Sequence, residues 1–223
     1  MPARVLQIDV FTLLPHAFGW MTEQRPLAAV LGTGLDLRLH SYRDHTPLRA
    51  GQVDDEPYGG GAGMVLRVDV VAAALEAVYD GPPQHRVVAL APAGRPLDQA
   101  LVEELAAEER LTILSARFEG FDERIVEHLA TDAVSIGPYV LSGGELPAMV
   151  LLDAIARRLP GALAAGSGEH ESFSEELEGG LEYPHYTRPS EFRGWRVPDV
   201  LLSGNHARID DWRREQSRER SVR

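Results

Sequence analysis

Three stretches of this 223-residue chain gather residue types that could do chemistry. The first runs Asp54-Asp55-Glu56-Pro57-Tyr58 into Gly59-Gly60-Gly61-Ala62-Gly63. Bare backbone there could approach a ligand closely, as only glycine permits, but a flexible turn would use the same residues. No Lys-Ser or Lys-Thr follows, and the glycine spacing does not match the dinucleotide fingerprint, so as a nucleotide motif it is weak. The second is a pair of loops, Leu90-Ala91-Pro92-Ala93-Gly94 and Ser135 to Gly144, each leaving the end of an expected strand. Ligands bind at that edge of open α/β sheets, although two ordinary strand-to-helix turns would read the same way. The third, Pro184-His185-Tyr186-Thr187-Arg188-Pro189, suits base stacking and phosphate contact and would equally brace a domain junction.

Other reactive types have plainer readings. Glu171 lies in a run of acids that reads as a solvated face. Arg157 and Arg158 fall where a helix end favours cations. His185 and His206 lack the spacing of a zinc site, and no Ser-His-Asp or paired-His arrangement stands out. Cysteine is absent, which removes disulfides, thiolate ligands and a thiol nucleophile.

The elements that must position these residues follow from hydrophobic spacing. Residues 3–12 read as a strand, the stretch after Pro15 as one helix ending near Gly32 and Gly34, and Leu35 to Tyr42 as a second strand. Residues 43–66 read as a long functional loop. Val71, Ala74, Leu75 and Val78 mark a helix, and Val87 to Ala91 and Leu111 to Leu114 read as buried strands. Helices are expected around Leu97 to Leu105 and Asp122 to Leu129, with a strand from Ala133 to Ile136. Ser142 and Glu145 have capping-box spacing ahead of a helix reaching about Arg158. The alternation predicts an α/β fold with a mostly parallel sheet over residues 1–160. Residues 161–182 are small and acidic and read as a flexible linker, and 183–223 as a small, mainly helical second domain.

The formal charge of -12 argues against a polyanionic partner, but it is unevenly spread. From Tyr186 to Arg223 nine arginines face six acids, a local +3 that leaves -15 on the rest. No segment has the length of a membrane span or the pattern of a signal peptide, so a cytoplasmic location is expected, with neither a membrane nor DNA as partner.

Several motifs together resemble the bacterial tRNA (guanine-N1)-methyltransferase family. They are Asp54 to Met64; Arg117-Phe118-Glu119-Gly120 with Asp122-Glu123-Arg124; Ser135-Ile136-Gly137 with Tyr139 to Pro147; Pro184 to Pro189; and Leu201-Leu202-Ser203-Gly204-Asn205-His206. The match is collinear over almost the whole chain. It implies a SPOUT-type deep trefoil knot, which periodicity cannot reveal because threaded chains break the usual topological rules. It also implies a homodimer with the active site at the subunit interface, tRNA as substrate and S-adenosyl-L-methionine as methyl donor. The product would carry a methyl group on N1 of the guanosine just 3′ of the anticodon, a modification that supports reading-frame maintenance.

Carried over by position, the resemblance assigns the donor to Leu90, Ala91, Pro92, Gly94, Ala116, Glu119, Ser135, Ile136, Gly137, Pro138, Tyr139, Val140, Leu141, Gly143, Gly144 and Pro147. RNA contact falls to Asp54, Gly63, His185, Tyr186, Arg188, Asn205, His206 and Arg208. Glu171, followed by Ser172 and Phe173, stands where the family places an Asp as general base, and Arg157 matches a helix-end arginine that stabilises charge on guanine O6. The family is also associated with Mg2+, for which the sequence offers no ligand set. Pro138 replaces an Asp, and Ala116 and Phe118 replace a Gly and a Tyr, so donor affinity is expected to differ from the family norm. Relatives continue past Arg223, which sets the expectation of a trimmed C-terminal domain. Two other readings stand beside this one: an RNA-binding homologue without turnover, and a small-molecule phosphate-binding enzyme using the glycine run.

Overall fold

A computed structural model describes residues 4–164 and 171–222. The chain divides into two compact units, Met1–Ala162 and Leu163–Arg223. In the first, strands β1 (Leu6–Thr12) and β2 (Leu35–Ser41) flank helices α1 (Gly19–Thr22) and α2 (Leu27–Val30), and α3 (Tyr42–His45) follows β2. Short strands β3 (Asp54–Asp55) and β4 (Val65–Leu66) come next, then α4 (Val68–Tyr79), β5 (Arg86–Pro96), α5 (Gln99–Ala106) and β6 (Arg110–Leu114). Helix α6 (Glu123–His128), β7 (Asp132–Ser135) and α7 (Glu145–Arg158) complete the unit. The main sheet has the order β2-β1-β6-β5-β7, and every adjacent pair is parallel, the architecture that the alternation predicts.

β1 is buried along most of its length, polar Asp9 included. Ile8 to Phe11 are all inaccessible to solvent, so both faces of the sheet are covered. Phe11, Val87 and Leu114 share a core with Val70, Val71, Ala74 and Leu75 of α4 and Ile125 of α6. By alternation Ile8, Val10, Val88 and Ile113 point the other way. Helix α7 contacts both α2 and α5.

Three sequence expectations need correction. The stretch after Pro15 is not one helix but a 3-10 turn (Pro15–Phe18) followed by α1 and α2. Pro26, with no N–H and with its constraint on Arg25, breaks the helix between them. Residues 43–66 are not a plain loop either. Ser41 ends β2 and caps α3, its hydroxyl accepting from the Arg43 N–H at 3.3 Å, and the antiparallel β3–β4 pair brackets the glycine run. Finally, Ser142 and Glu145 form no capping box: Gly144 is the N-cap of α7, without a side-chain cap, and the Glu145 carboxylate is used elsewhere.

In the second unit, a 3-10 turn (Glu175–Leu177) precedes the hairpin β8 (Glu191–Phe192) and β9 (Trp195–Arg196), then α8 (Asp199–Leu202) and α9 (His206–Ser221). Part of the expected linker, 165–170, lies outside the described residues. Its later part is tied to α9: Ser217 donates to the Leu181 carbonyl at 2.6 Å, and the Leu181 N–H donates to Ser221 Oγ at 2.7 Å.

Candidate functional site

An irregular bend within β5 and the loops that leave β6 and β7 at their carboxyl ends enclose one crevice. Its wall comes from Leu90, Ala91 and Pro92 at the register shift inside β5, Ala116, Arg117, Phe118, Glu119 and Gly120 after β6, and Val134 with Ser135 on β7. Ile136, Gly137, Tyr139, Val140, Leu141, Gly143, Gly144 and Pro147 close it. Of the residues assigned to the donor by resemblance, only Gly94 and Pro138 are not in this wall. Pro138 is exposed, and Gly94 packs its α-carbon against the backbone of Ala133 and Val134, where a side chain has no room. Val134 pairs with both Leu90 and Arg95, so residues 91–94 leave the strand and return to the same neighbour.

Hydrogen bonds lock the second and third loops together. The Gly144 N–H donates to the Ala116 carbonyl at 2.7 Å, and Arg117 bridges Gly143 in antiparallel fashion. Beneath them lies Glu145, 5% exposed. Thr12 donates to one of its oxygens at 3.0 Å and Arg117 to the other at 3.2 Å, which holds the guanidinium of a crevice residue in place. A Cβ on Gly144 would lie 2.9 Å from Ser115 Cα, and one on Gly143 would meet the Glu145 carboxylate, so these walls must be bare backbone. Gly63 comes from the glycine run at φ +84, with its α-carbon against the Glu119 side chain. That contact brings one residue of the run to the edge of the crevice.

Arg117, Gly120 and Val134 are crevice residues that sequence reasoning did not single out, whereas Phe118, named there as standing in for a Tyr, does line the wall. Arg117 and Gly120 lie inside the Arg117 to Gly120 motif, so the signal was present. Glu145 was read as a cap, and nothing in the sequence reveals that its partners are Thr12 and Arg117.

The remaining expected site residues fall in two places. Asp54 sits on β3, paired with Leu66. Arg157 is half-buried in the last turn of α7. The others belong to the second unit. Half-buried Glu171 accepts through its carbonyl from the Ser174 N–H at 3.1 Å. His185 Nε2 lies 2.8 Å from the Glu182 carboxylate, and the Tyr186 ring approaches Trp212 of α9 at 6.4 Å. Arg188 is exposed ahead of β8, and Asn205 caps α9 by accepting from the Arg208 N–H at 3.3 Å, with His206 as its first residue. Among the described residues, no group of three or more His, Asp or Glu could hold a metal ion. No described helix is long and apolar enough to cross a membrane.

Away from the crevice, at the other end of the sheet, a polar network is buried. Asp9 lies 2.7 Å from His40 Nε2 and accepts from Arg110 at 3.3 Å. Burial pushes the Asp9 carboxyl up, but His40 and Arg110 outweigh it and hold the group below the usual carboxylate range. His85 lies 2.8 Å from Thr112 Oγ1, and burial together with the Arg110 charge lowers its pKa.

Fold and crevice together define the class: a doubly covered parallel α/β protein with its ligand crevice at the carboxyl ends of the strands, followed by an arginine-rich helical unit. Residues 6–223 match the family model described as tRNA (Guanine-1)-methyltransferase TrmD. The chain is 50% identical over 220 residues to a tRNA (guanine-N(1)-)-methyltransferase of Geobacter metallireducens, covering 98% of this chain and 89% of that protein. Identity to the proteins of the same name in Brevibacillus brevis and Dehalococcoides mccartyi is 49% over 218 residues and 48% over 221. Those matches cover 97% and 98% of this chain and 88% of each relative. The chain belongs to the tRNA (guanine-1)-methyltransferase TrmD family.

Proposed function

We propose that this chain transfers the methyl group of S-adenosyl-L-methionine to N1 of the guanosine immediately 3′ of the tRNA anticodon. One observation carries the reading: in a member of this family, the loops that the resemblance assigns to the donor converge on a single crevice. The crevice residues suit such a molecule. Leu90, Pro92, Ile136, Leu141 and Pro147 offer apolar surface for a purine and methylenes, and the bare backbone of Gly137, Gly143 and Gly144 offers amide contacts. Glu119 and Arg117 place one carboxylate and one guanidinium in the same wall, which an ammonium and a carboxylate match. When bound, the donor supplies an electrophilic methyl group on sulfur.

Guanine N1 carries a proton near neutral pH, so a base must take it as the nitrogen attacks. Glu171 is that base: its carboxylate accepts the N1 proton while the N1–CH3 bond forms and the S–CH3 bond breaks. Arg157 faces the negative charge that develops on O6. Arg117, fixed by Glu145, holds its end of the donor so that methyl and nitrogen meet in line. Mg2+ has no role assigned to these residues.

The finer architecture belongs to the same proposal. The double pairing of Val134 supports a knotted crossing of the 91–94 and 136–144 loops. Leu146 and Val150, four residues apart on α7 and 60% and 47% exposed, support a homodimer that covers them and completes the active site. The proposal keeps the organisation expected from sequence: a donor domain over 1–160, a flexible acidic linker over 161–182 and a tRNA-binding domain over 183–223, in a cytoplasmic protein.

The test is transfer of labelled methyl to two tRNA transcripts, one with guanosine just 3′ of the anticodon and one with adenosine. Label in the first alone is expected; equal label in both, or in neither with donor binding intact, overturns the reading.

A further inference from the structure

The second unit carries a small hairpin whose side chains have no place in its own core. Arg193 and Gly194 turn it with φ +55 and +85, the two positive values that a two-residue turn of this hand requires. The turn sets Phe192 opposite Trp195 and Glu191 opposite Arg196, and the Val197 N–H closes the pair on the Ser190 carbonyl at 3.0 Å. Side chains that face each other across strands share a side, so Phe192 and Trp195 form one aromatic face, ring centroids 5.9 Å apart. Phe192 is 52% exposed and Trp195 70%. Arg193 lies over the Phe192 ring at 5.0 Å.

We propose that this hairpin tip is a stacking platform for unpaired tRNA bases, with Trp195 and the Arg193–Phe192 stack as its surfaces. The proposal rests on the tRNA-modifying reading above and adds residues that the resemblance does not assign. Two observations select RNA as the occupant. Indole rings and guanidinium planes are the groups on which single-stranded bases stack, whatever the base. The stretch 186–197 holds three arginines against one glutamate, in a chain of net charge -12, so the local charge is complementary to phosphate. Arg188 and Arg196 serve the backbone while the aromatic face takes the bases.

The experiment measures binding of a full-length tRNA transcript, with guanosine 3′ of the anticodon, to the intact chain and to Trp195→Ala, Trp195→Phe and Arg188→Ala/Arg196→Ala variants over a range of salt. Trp195→Ala is expected to weaken binding about five- to a hundredfold, the range for one lost stacking contact. Its salt slope stays that of the parent, and Trp195→Phe recovers most of the affinity. The double arginine variant instead flattens the salt slope by roughly one to two units. In a background with Trp20 and Trp212 changed to Phe, transcript binding quenches Trp195 fluorescence. Unchanged transcript affinity in Trp195→Ala overturns the proposal while leaving the methyltransferase reading intact. A shift in oligomeric state on sedimentation also overturns it, by making the face a contact between copies of the chain. A parent protein that binds no transcript removes both this proposal and the reading beneath it.

Discussion

Replacing Glu145 by Gln tests whether a single buried charge holds the shape of the crevice. The carboxylate receives Thr12 on one oxygen and Arg117 on the other. Glutamine has the same size but one acceptor oxygen, so its amide group turns a donor toward one of two donors. Losing a hydrogen bond to a charged group costs about 1.5–3 kcal/mol, and stripping one partner from a fully buried ion pair about 3–5 kcal/mol. The Arg117 side chain remains 32% exposed and rehydrates when released, which places this variant in the lower range. The expected loss is about 2 kcal/mol, or about 4–8 °C in melting temperature for a protein of this size. Calorimetric melting measures the stability, and titration with S-adenosyl-L-methionine measures the donor affinity. The affinity should fall several-fold, because Arg117 and Gly143, which it bridges, lose their anchor. An unchanged melting temperature together with an unchanged donor affinity would refute the argument that Glu145 shapes the crevice.

Further outcomes follow from other positions. Glu171→Gln should abolish methyl transfer measured with labelled donor while calorimetric donor binding persists, and normal turnover would assign the base elsewhere. Gly94→Ala pushes a Cβ into the backbone of Ala133 and Val134 and should cost more than about 2 kcal/mol in thermal unfolding. Gly19→Ala, where nothing lies within 4 Å, should stay within about 0.5 kcal/mol. The lowered pKa of His85 means that the unfolded chain binds its proton first, so stability should fall as pH drops below about 6.5. Melting curves of His85→Gln should be flatter through that window. Asp9, also lowered, contributes stability present above about pH 4 and lost as the pH falls through its folded value, so its effect appears only in stronger acid.

How legible this protein is depends on whether a residue's partner is near in sequence. The β5, β6 and β7 runs show as short apolar bursts because strands buried on both faces have no polar side to alternate with. The glycines of the crevice loops are visible for the same local reason, since bare backbone has a sequence signature. Strand order is not visible: β6 slips between β1 and β5, and its pairing with β1 joins residues about 100 apart, such as Gln7 and Arg110, which no window reports. Glu145 misleads for a related reason. Its spacing from Ser142 is that of a local cap, but Thr12 from the far end of the chain and Arg117 claim it first. The acids from Glu171 to Glu182 likewise read as a solvated linker, because their tie to α9 rests on Ser217 and Ser221, some 40 residues on.

The glycine wall of the crevice also bears on inhibition. Gly143 and Gly144 admit no Cβ without moving Ser115, Arg117 or Glu145, so the surface that a crevice-bound compound would touch there is main chain. An inhibitor anchored on those amides would meet few atoms that a point mutation could alter without damaging the fold. Resistance would then be expected to arise at side-chain positions such as Phe118 or Tyr139, and compounds that avoid those two should keep their potency longest.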